Sequence, residues 1–355
     1  MKTEKMNSRE RFLATVERRP VDRPACWLGD PTPEAVPGLC DFYQVSNIKE
    51  LKEVCGDDFY AVEIPYKSPS CSAIFAAFDW YRDGSNVDVE HRTLTAEGCF
   101  CACEDMEDIE NVGFEWPDPA LYIDPEECRR LVNEAPEDKV ILGMLWACHF
   151  QDVCAAFGME NCLMNMISVP EIVHYVNDKI VEFYVKALKI FLEAVDGKVQ
   201  AILIGNDIGS QNGLMISPEL VKEFVIPGAK VLIETAHSYG VKVIYHSCGS
   251  IADAIPLLIE AGADVIHPIQ ALAAGMDVDS LKEKFDGQVS FCGGVDTQVL
   301  LPNGTPEMVA AEVRRLRGYF PTGLIVSPSH EAVQSDVPPA NIKALFEEAT
   351  KIYEE

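Results

Sequence analysis

The chain has 355 residues, 48% of them hydrophobic and 24% charged, and carries a formal net charge of −28. That length accommodates one large α/β barrel or two ordinary domains, and the charge excludes nucleic acid as a partner, because a phosphate backbone would be repelled. No apolar run reaches the ~18 residues of a membrane span. The opening Met-Lys-Thr-Glu-Lys-Met lacks the apolar stretch of a secretory leader, so a cytoplasmic location is expected. Thirteen cysteines without paired spacing read as the thiols of a reducing compartment, not as a disulfide framework.

In chain order, residues 8–17 have the pattern of a helix, and 25–28 and 59–64 that of strands. Residues 68–120 are less regular and read as an inserted set of hairpins. Within them, Gly98-Cys99-Phe100-Cys101-Ala102-Cys103 alternates as a strand would, with three thiols on one face. Metal binding by those thiols and an ordinary strand are both open readings. A regular alternation begins at residue 139: a strand over 139–146, then a long helix at Pro170–Val195 with Ile172, Val176, Ile180 and Phe183 at helical spacing. A strand at 201–205 precedes Ser217-Pro218-Glu219, a cap followed by proline in the first turn of a helix.

Strands at 241–245, 264–267, 289–292 and 324–326 then alternate with helices at 251–261, 279–285, 305–319 and 339–354. Such alternation implies parallel pairing through right-handed crossovers. Strand starts at Ala25, Phe59, Lys139, Ala201, Val241, Asp264, Val289 and Leu324 number eight. The expected architecture is therefore a (β/α)8 TIM barrel, one domain over 1–355 with a hairpin insertion around 68–120. The chain has no glycine-rich phosphate fingerprint to support an open nucleotide-binding sheet.

In such a barrel the reactive residues lie after the C-terminal ends of the strands. Asn206, Asp207 and Gln211 follow the strand at 201–205; His246 and Cys248 follow that at 241–245; His267 ends the strand starting at Asp264. Cys292 and Asp296 flank Gly293-Gly294, His330 follows the last strand, and Trp146 and His149 follow the strand at 139. The i, i+2 spacing of His246 and Cys248 puts an imidazole and a thiol on one face, the start of a zinc site. A third ligand must come from a neighbouring strand end, with His330 and Cys292 as candidates. Plainer roles stand beside these. His267 fits a hydrogen-bonded core histidine and Cys292 a buried small hydrophobe. Asp207 and Asp296 fit helix caps, and Trp146 and His149 could line a pocket or close the barrel.

Several motifs, in order, resemble the uroporphyrinogen decarboxylase superfamily: Arg19-Pro20-Val21-Asp22-Arg23-Pro24, Asn206-Asp207-Ile208-Gly209-Ser210-Gln211, His246-Ser247-Cys248-Gly249, Gly293-Gly294-Val295-Asp296-Thr297-Gln298 and Asp336-Val337-Pro338-Pro339-Ala340-Asn341. The resemblance implies a (β/α)8 barrel. The decarboxylases of that superfamily hold porphyrinogen carboxylates with an arginine-rich loop after the first strand, but here Trp27-Leu28-Gly29-Asp30-Pro31-Thr32-Pro33 has no arginine. The resemblance therefore points to the zinc- and corrinoid-dependent methyltransferase branch, in which His-x-Cys supplies two zinc ligands and a third follows the last strand. By that resemblance His246, Cys248 and His330, with Cys292 as the alternative, would hold Zn2+. A corrinoid (cobalamin) would be presented by a separate corrinoid-binding protein.

The methyl donor implied is a small methylated substrate, a methoxylated aromatic first, in a pocket from Trp27, Trp146, Met144 and Phe150 with Asn206 and Asp296 in contact. Asp207, Gln211 and His149 would orient it or manage a proton. A decarboxylase on another substrate, or a tetrapyrrole-binding protein, is the alternative; a homodimer is compatible with either.

Overall fold

The computed structural model describes residues 5–68, 73–78 and 97–353. Eight parallel strands form one sheet: β1 (Ala25–Cys26), β2 (Phe59–Glu63), β3 (Val140–Trp146), β4 (Ala201–Gly205), β5 (Lys242–His246), β6 (Val265–Ile269), β7 (Ser290–Val295) and β8 (Leu324–Pro328). Their order, β1-β8-β7-β6-β5-β4-β3-β2, is that of a (β/α)8 barrel closed everywhere except by a ladder between β1 and β2. Period-2 alternation splits each strand. Ala25, Phe59, Leu142, Leu203, Ile244, Val265, Cys292 and Ile325 fill the barrel interior, with Phe12 from the helix Ser8–Val16. Val243, Tyr245, Ile266, Phe291 and Val326 face the outer helices. Burial of both faces is why the strands read as continuous apolar runs.

The gap between β1 and β2 is bridged by acidic side chains. The Asp58 amide donates to Cys26 O (2.9 Å), the Cys26 amide to Asp58 Oδ2 (2.9 Å), and the Leu28 amide to Asp57 Oδ2 (2.9 Å). Arg11 and Arg23 each reach Asp58, at 2.7 and 2.8 Å, and Arg11 also pairs with Asp22 at 2.8 Å. Arg11 and Asp58 are 4% and 1% exposed, so these charges are buried as a mutually satisfied set. Burial pushes the Asp22 carboxyl up, but Arg11 and neighbouring amides outweigh it and hold it below its ordinary value. The segment Arg19–Pro24 thus serves as a clamp at the N-terminal end of the barrel.

Residues 99–103 are not a strand. They form consecutive turns, closed by the Cys101 amide on Gly98 O (3.1 Å) and the Cys103 amide on Phe100 O (3.1 Å). Phe100 decides this: its ring is buried against Phe114, Trp116 and Phe157. Gly98 lies so near the Ala155 carbonyl that a Cβ would come within 2.1 Å. The hairpins expected at 68–120 fall partly on 69–72 and 79–96, outside the described residues. The rest holds short helical turns at Ile74–Ala77 and Pro119–Leu121 and the helix Met106–Val112, and the flanking Tyr66 and Ile123 form an antiparallel bridge. Among the described residues no helix is long and apolar enough to cross a membrane.

Candidate metal centre

His246 is the last residue of β5 and points inward, as Ile244 does two residues earlier, and it is 6% exposed. The chain then turns through Ser247, Cys248 and Gly249. Gly249 has φ +83° and lies against the Gly209 backbone, where a Cβ would meet an atom at 2.6 Å. That close approach brings Cys248 over the end of β4, where its amide donates to Asp207 Oδ1 (2.8 Å). His246 Nε2 lies 3.5 Å from Cys248 Sγ and 3.3 Å from Asp207 Oδ1, and one ligand atom from each residue falls within 4.8 Å of the others.

A thiol, an imidazole and a carboxylate are a donor set that zinc accepts. Tetrahedral bonds of ~2.0–2.3 Å separate neighbouring ligand atoms by roughly 3.3–3.8 Å, so Asp207, His246 and Cys248 fit a divalent cation. Burial pushes the Asp207 carboxyl up, yet the hydrogen bond and charge of His246 and the Cys248 amide bring it down to about 2. Burial likewise raises the Cys248 thiol, and His246 and His330 overcome it, leaving the thiol below its ordinary value. For His246, burial lowers and Asp207, Cys248 and Glu331 raise, with the increase dominant. Asp207 and Cys248 are thus held toward the carboxylate and thiolate forms that a metal needs, whereas the His246 they stabilise as a cation has to release a proton when it binds one.

Glu331, three residues past β8, lies on the Nδ1 side of His246, in a second cluster with His246 and His267. Its Oε2 is 3.7 Å from His246 Nδ1 and 3.7 Å from His330 Nδ1, and it has no hydrogen-bond partner among the described residues. The loop after β1 holds it there. The Asp30 amide donates to Glu331 O (2.8 Å) and the Thr32 amide to Val333 O (2.9 Å). Gly29, with φ +78°, lets the two backbones touch, since a Cβ would lie 2.3 Å from Glu331 O. Sequence reasoning reached His330 and passed over its acidic neighbour, whose only signal was adjacency to the last strand.

The other expected residues separate clearly. His330 contacts Cys248 electrostatically, and its Nδ1 accepts from the Ala332 amide (3.0 Å). Cys292 is fully buried in the barrel interior with Val265 and Ile325; burial raises its thiol far above the ordinary value, and it is outside the clustered ligand set. Asp296 caps the segment after β7, accepting from the amides of Gln298, Val299 and Leu300. Asn206 spends both ends on structure: Oδ1 accepts from the Phe150 amide (2.8 Å) and Nδ2 donates to Tyr245 OH (3.1 Å). The exposed Gln211 anchors the Ala274 amide through its carbonyl (3.0 Å).

Trp146 sits edge-on to His246, with ring centroids 5.9 Å apart. Trp27 is buried inside the barrel, 5.1 Å from the His267 ring, and Met144 belongs to that same interior. Phe150 packs in the outer core. His149 also turns away from the cluster, for Trp146 and Ala147 take positive φ (63° and 44°) and reverse the chain. Its Nδ1 lies 2.8 Å from Asn177 Oδ1 on the helix Pro170–Val195, and its ring abuts Gly228.

Comparison with known proteins accords with this architecture. A methyltransferase from Methanosarcina mazei shares the fold at 15% identity and a TM-score of 0.65, over 97% of this chain and 98% of its own. A Listeria monocytogenes protein described as a vitamin-B12-independent methionine synthase aligns at 10% identity and a TM-score of 0.48, over 96% of this chain and 98% of its own. No curated protein sequence matches. The family model described as uroporphyrinogen decarboxylase (URO-D) matches residues 7–352, and the chain therefore belongs to the uroporphyrinogen decarboxylase family.

Proposed function

We propose that the protein is a zinc-dependent methyltransferase that takes a methyl group from a small methylated substrate, a methoxylated aromatic first, and passes it to the cobalt of a corrinoid carried by a partner protein. The observation that carries this reading is the Asp207–His246–Cys248 cluster at the C-terminal end of the barrel. The Methanosarcina protein named a methyltransferase has the same fold.

Asp207, His246 and Cys248 would hold the ion, with His330 and Glu331 beside them. Zinc bound there supplies Lewis acidity toward an ether oxygen, and the corrinoid carries the methyl group. The chain's own residues do the rest. The Trp146 ring gives the cluster an apolar wall. Glu331, whose Oε2 has no hydrogen-bond partner among the described residues and lies near both His246 and His330, is placed to accept a proton or a hydrogen bond from a substrate. The buried interior below His246 keeps water from approaching from beneath.

Decarboxylation is the second reading, supported by family membership; the arginine-free loop at 27–33 argues against a multi-carboxylate substrate. Mixing the purified protein with cob(I)alamin and a panel of methoxylated aromatics, methanol and methylated thiols tests the choice. The expected result is the methylcobalamin spectrum with stoichiometric zinc, both lost in a His246→Ala, Cys248→Ser double variant. Metal-free protein that decarboxylates a porphyrinogen would overturn the proposal.

A further inference from the structure

Beneath the candidate ligands lies a second histidine that the proposed chemistry does not use. His267 is on β6, next to β5, in register with His246. It is wholly buried, and its Nδ1 is 3.0 Å from His246 Nδ1. At that distance one hydrogen lies between the two nitrogens, so one ring donates and the other accepts.

The surroundings decide which. His246 Nε2 faces Asp207 and Cys248, and it must offer a lone pair there if the cluster binds a cation. Its remaining proton then belongs on Nδ1, and the Glu331 carboxylate 3.7 Å away favours a proton at that position. His267 Nδ1 must accept it, which puts the His267 proton on Nε2. That nitrogen is buried without a hydrogen-bond partner among the described residues. The Trp27 ring, also fully buried and 5.1 Å from the His267 ring, leaves it little freedom to turn. A metal-bound imidazole is commonly fixed through its second nitrogen by a carboxylate, a carbonyl or a water; here a neutral imidazole takes that place.

We infer that His267 is a positioning residue: held by Trp27, it accepts the His246 Nδ1 hydrogen and so keeps His246 Nε2 open toward Asp207 and Cys248. The inference rests on the metal-assisted reading above and adds to it a residue that touches neither metal nor substrate.

Two measurements on the full-length protein test it. Titration with cobalt(II), followed by its visible absorption, should give a roughly 10- to 100-fold weaker affinity for His267→Phe than for the wild type. His267→Asn, whose Oδ1 can stand in for the Nδ1 acceptor, should recover most of that loss. Long-range 1H–15N correlation spectra of wild-type protein should show the His246 proton on Nδ1 and the His267 proton on Nε2 once the metal is bound. Equal cobalt affinity in His267→Phe and wild type, or a proton found on His267 Nδ1, overturns the inference. Should His267→Phe not fold, the asparagine variant and the wild-type spectra still decide. A wild type that binds no cobalt sinks the metal-assisted reading itself, a different outcome from unchanged affinity in the variant.

Discussion

Asp207 receives the Cys248 amide, pairs with His246 Nε2 and lies within ligand distance of the Cys248 sulfur. A helix cap needs only the first of these. We predict that Asp207→Ala lowers zinc or cobalt affinity by more than roughly 10-fold, whereas Cys292→Ser, in the dry interior, leaves it within about 3-fold; isothermal titration of both variants checks the pair. Equal losses would restore Cys292 as a ligand. At this scale the sequence carried the His246-x-Cys248 spacing openly, although Cys248 lies past the strand end and is placed by the turn at Gly249 rather than by the strand's alternation. It did not distinguish Asp207 from Asn206 or Asp296, since strand ends are also where helices start. Polar residues there satisfy backbone donors as readily as they bind ligands. Asn206 and Asp296 both accept from backbone amides, as Asp207 does.

Between elements, the informative place is the seam where β1 meets β2 without a ladder. Side chains of Asp57 and Asp58 receive the amides of Leu28 and Cys26, and Asp58 is ringed by Arg11 and Arg23. Removing Asp58 takes the ion-pair partner from the part-buried Arg23 and leaves Arg11 with Asp22 alone, and Asp58→Ala should cost about 3 kcal/mol, read as a lower urea midpoint with little change in slope. A loss below about 1 kcal/mol would mean that the clamp is solvated. All eight strands could be read from sequence because burial on both faces leaves short, mostly apolar runs whose polar residues are few. The turns at 99–103 could not, since alternating cysteines imitate a strand and only Phe100's distant aromatic partners decide otherwise. Nor could the fate of His149, which hangs on two left-handed residues just before it.

For the molecule as a whole, two fully buried groups oppose each other in pH. Burial lowers His149 from 6.5 to about 4, so the unfolded chain binds its proton first. The stability this group contributes is present above about pH 6.5 and is lost as pH falls through 4, up to about 3 kcal/mol. Asp57 runs the other way: burial raises it from 3.8 to about 7, so stability is greatest below about pH 4 and declines as pH rises toward 7. The wild-type profile should be flatter than either group alone would make it. The stability difference between wild type and His149→Leu should grow by about 3 kcal/mol from pH 4 to pH 6.5, measured by urea unfolding at several pH values. A difference independent of pH would show that His149 is not held neutral by burial.

The pairing of β1 with β8 has a consequence for biosynthesis. Ala25 finds its ladder partner, Ile325, only about 300 residues later, which at a ribosomal pace of ~5–20 residues per second is roughly 15–60 s. Until then Glu331 does not yet exist, and Gly29 lacks the backbone it lies against. The barrel mouth around Gly29 and Glu331 is thus among the last parts of the nascent chain to take shape, after β8 itself has been made.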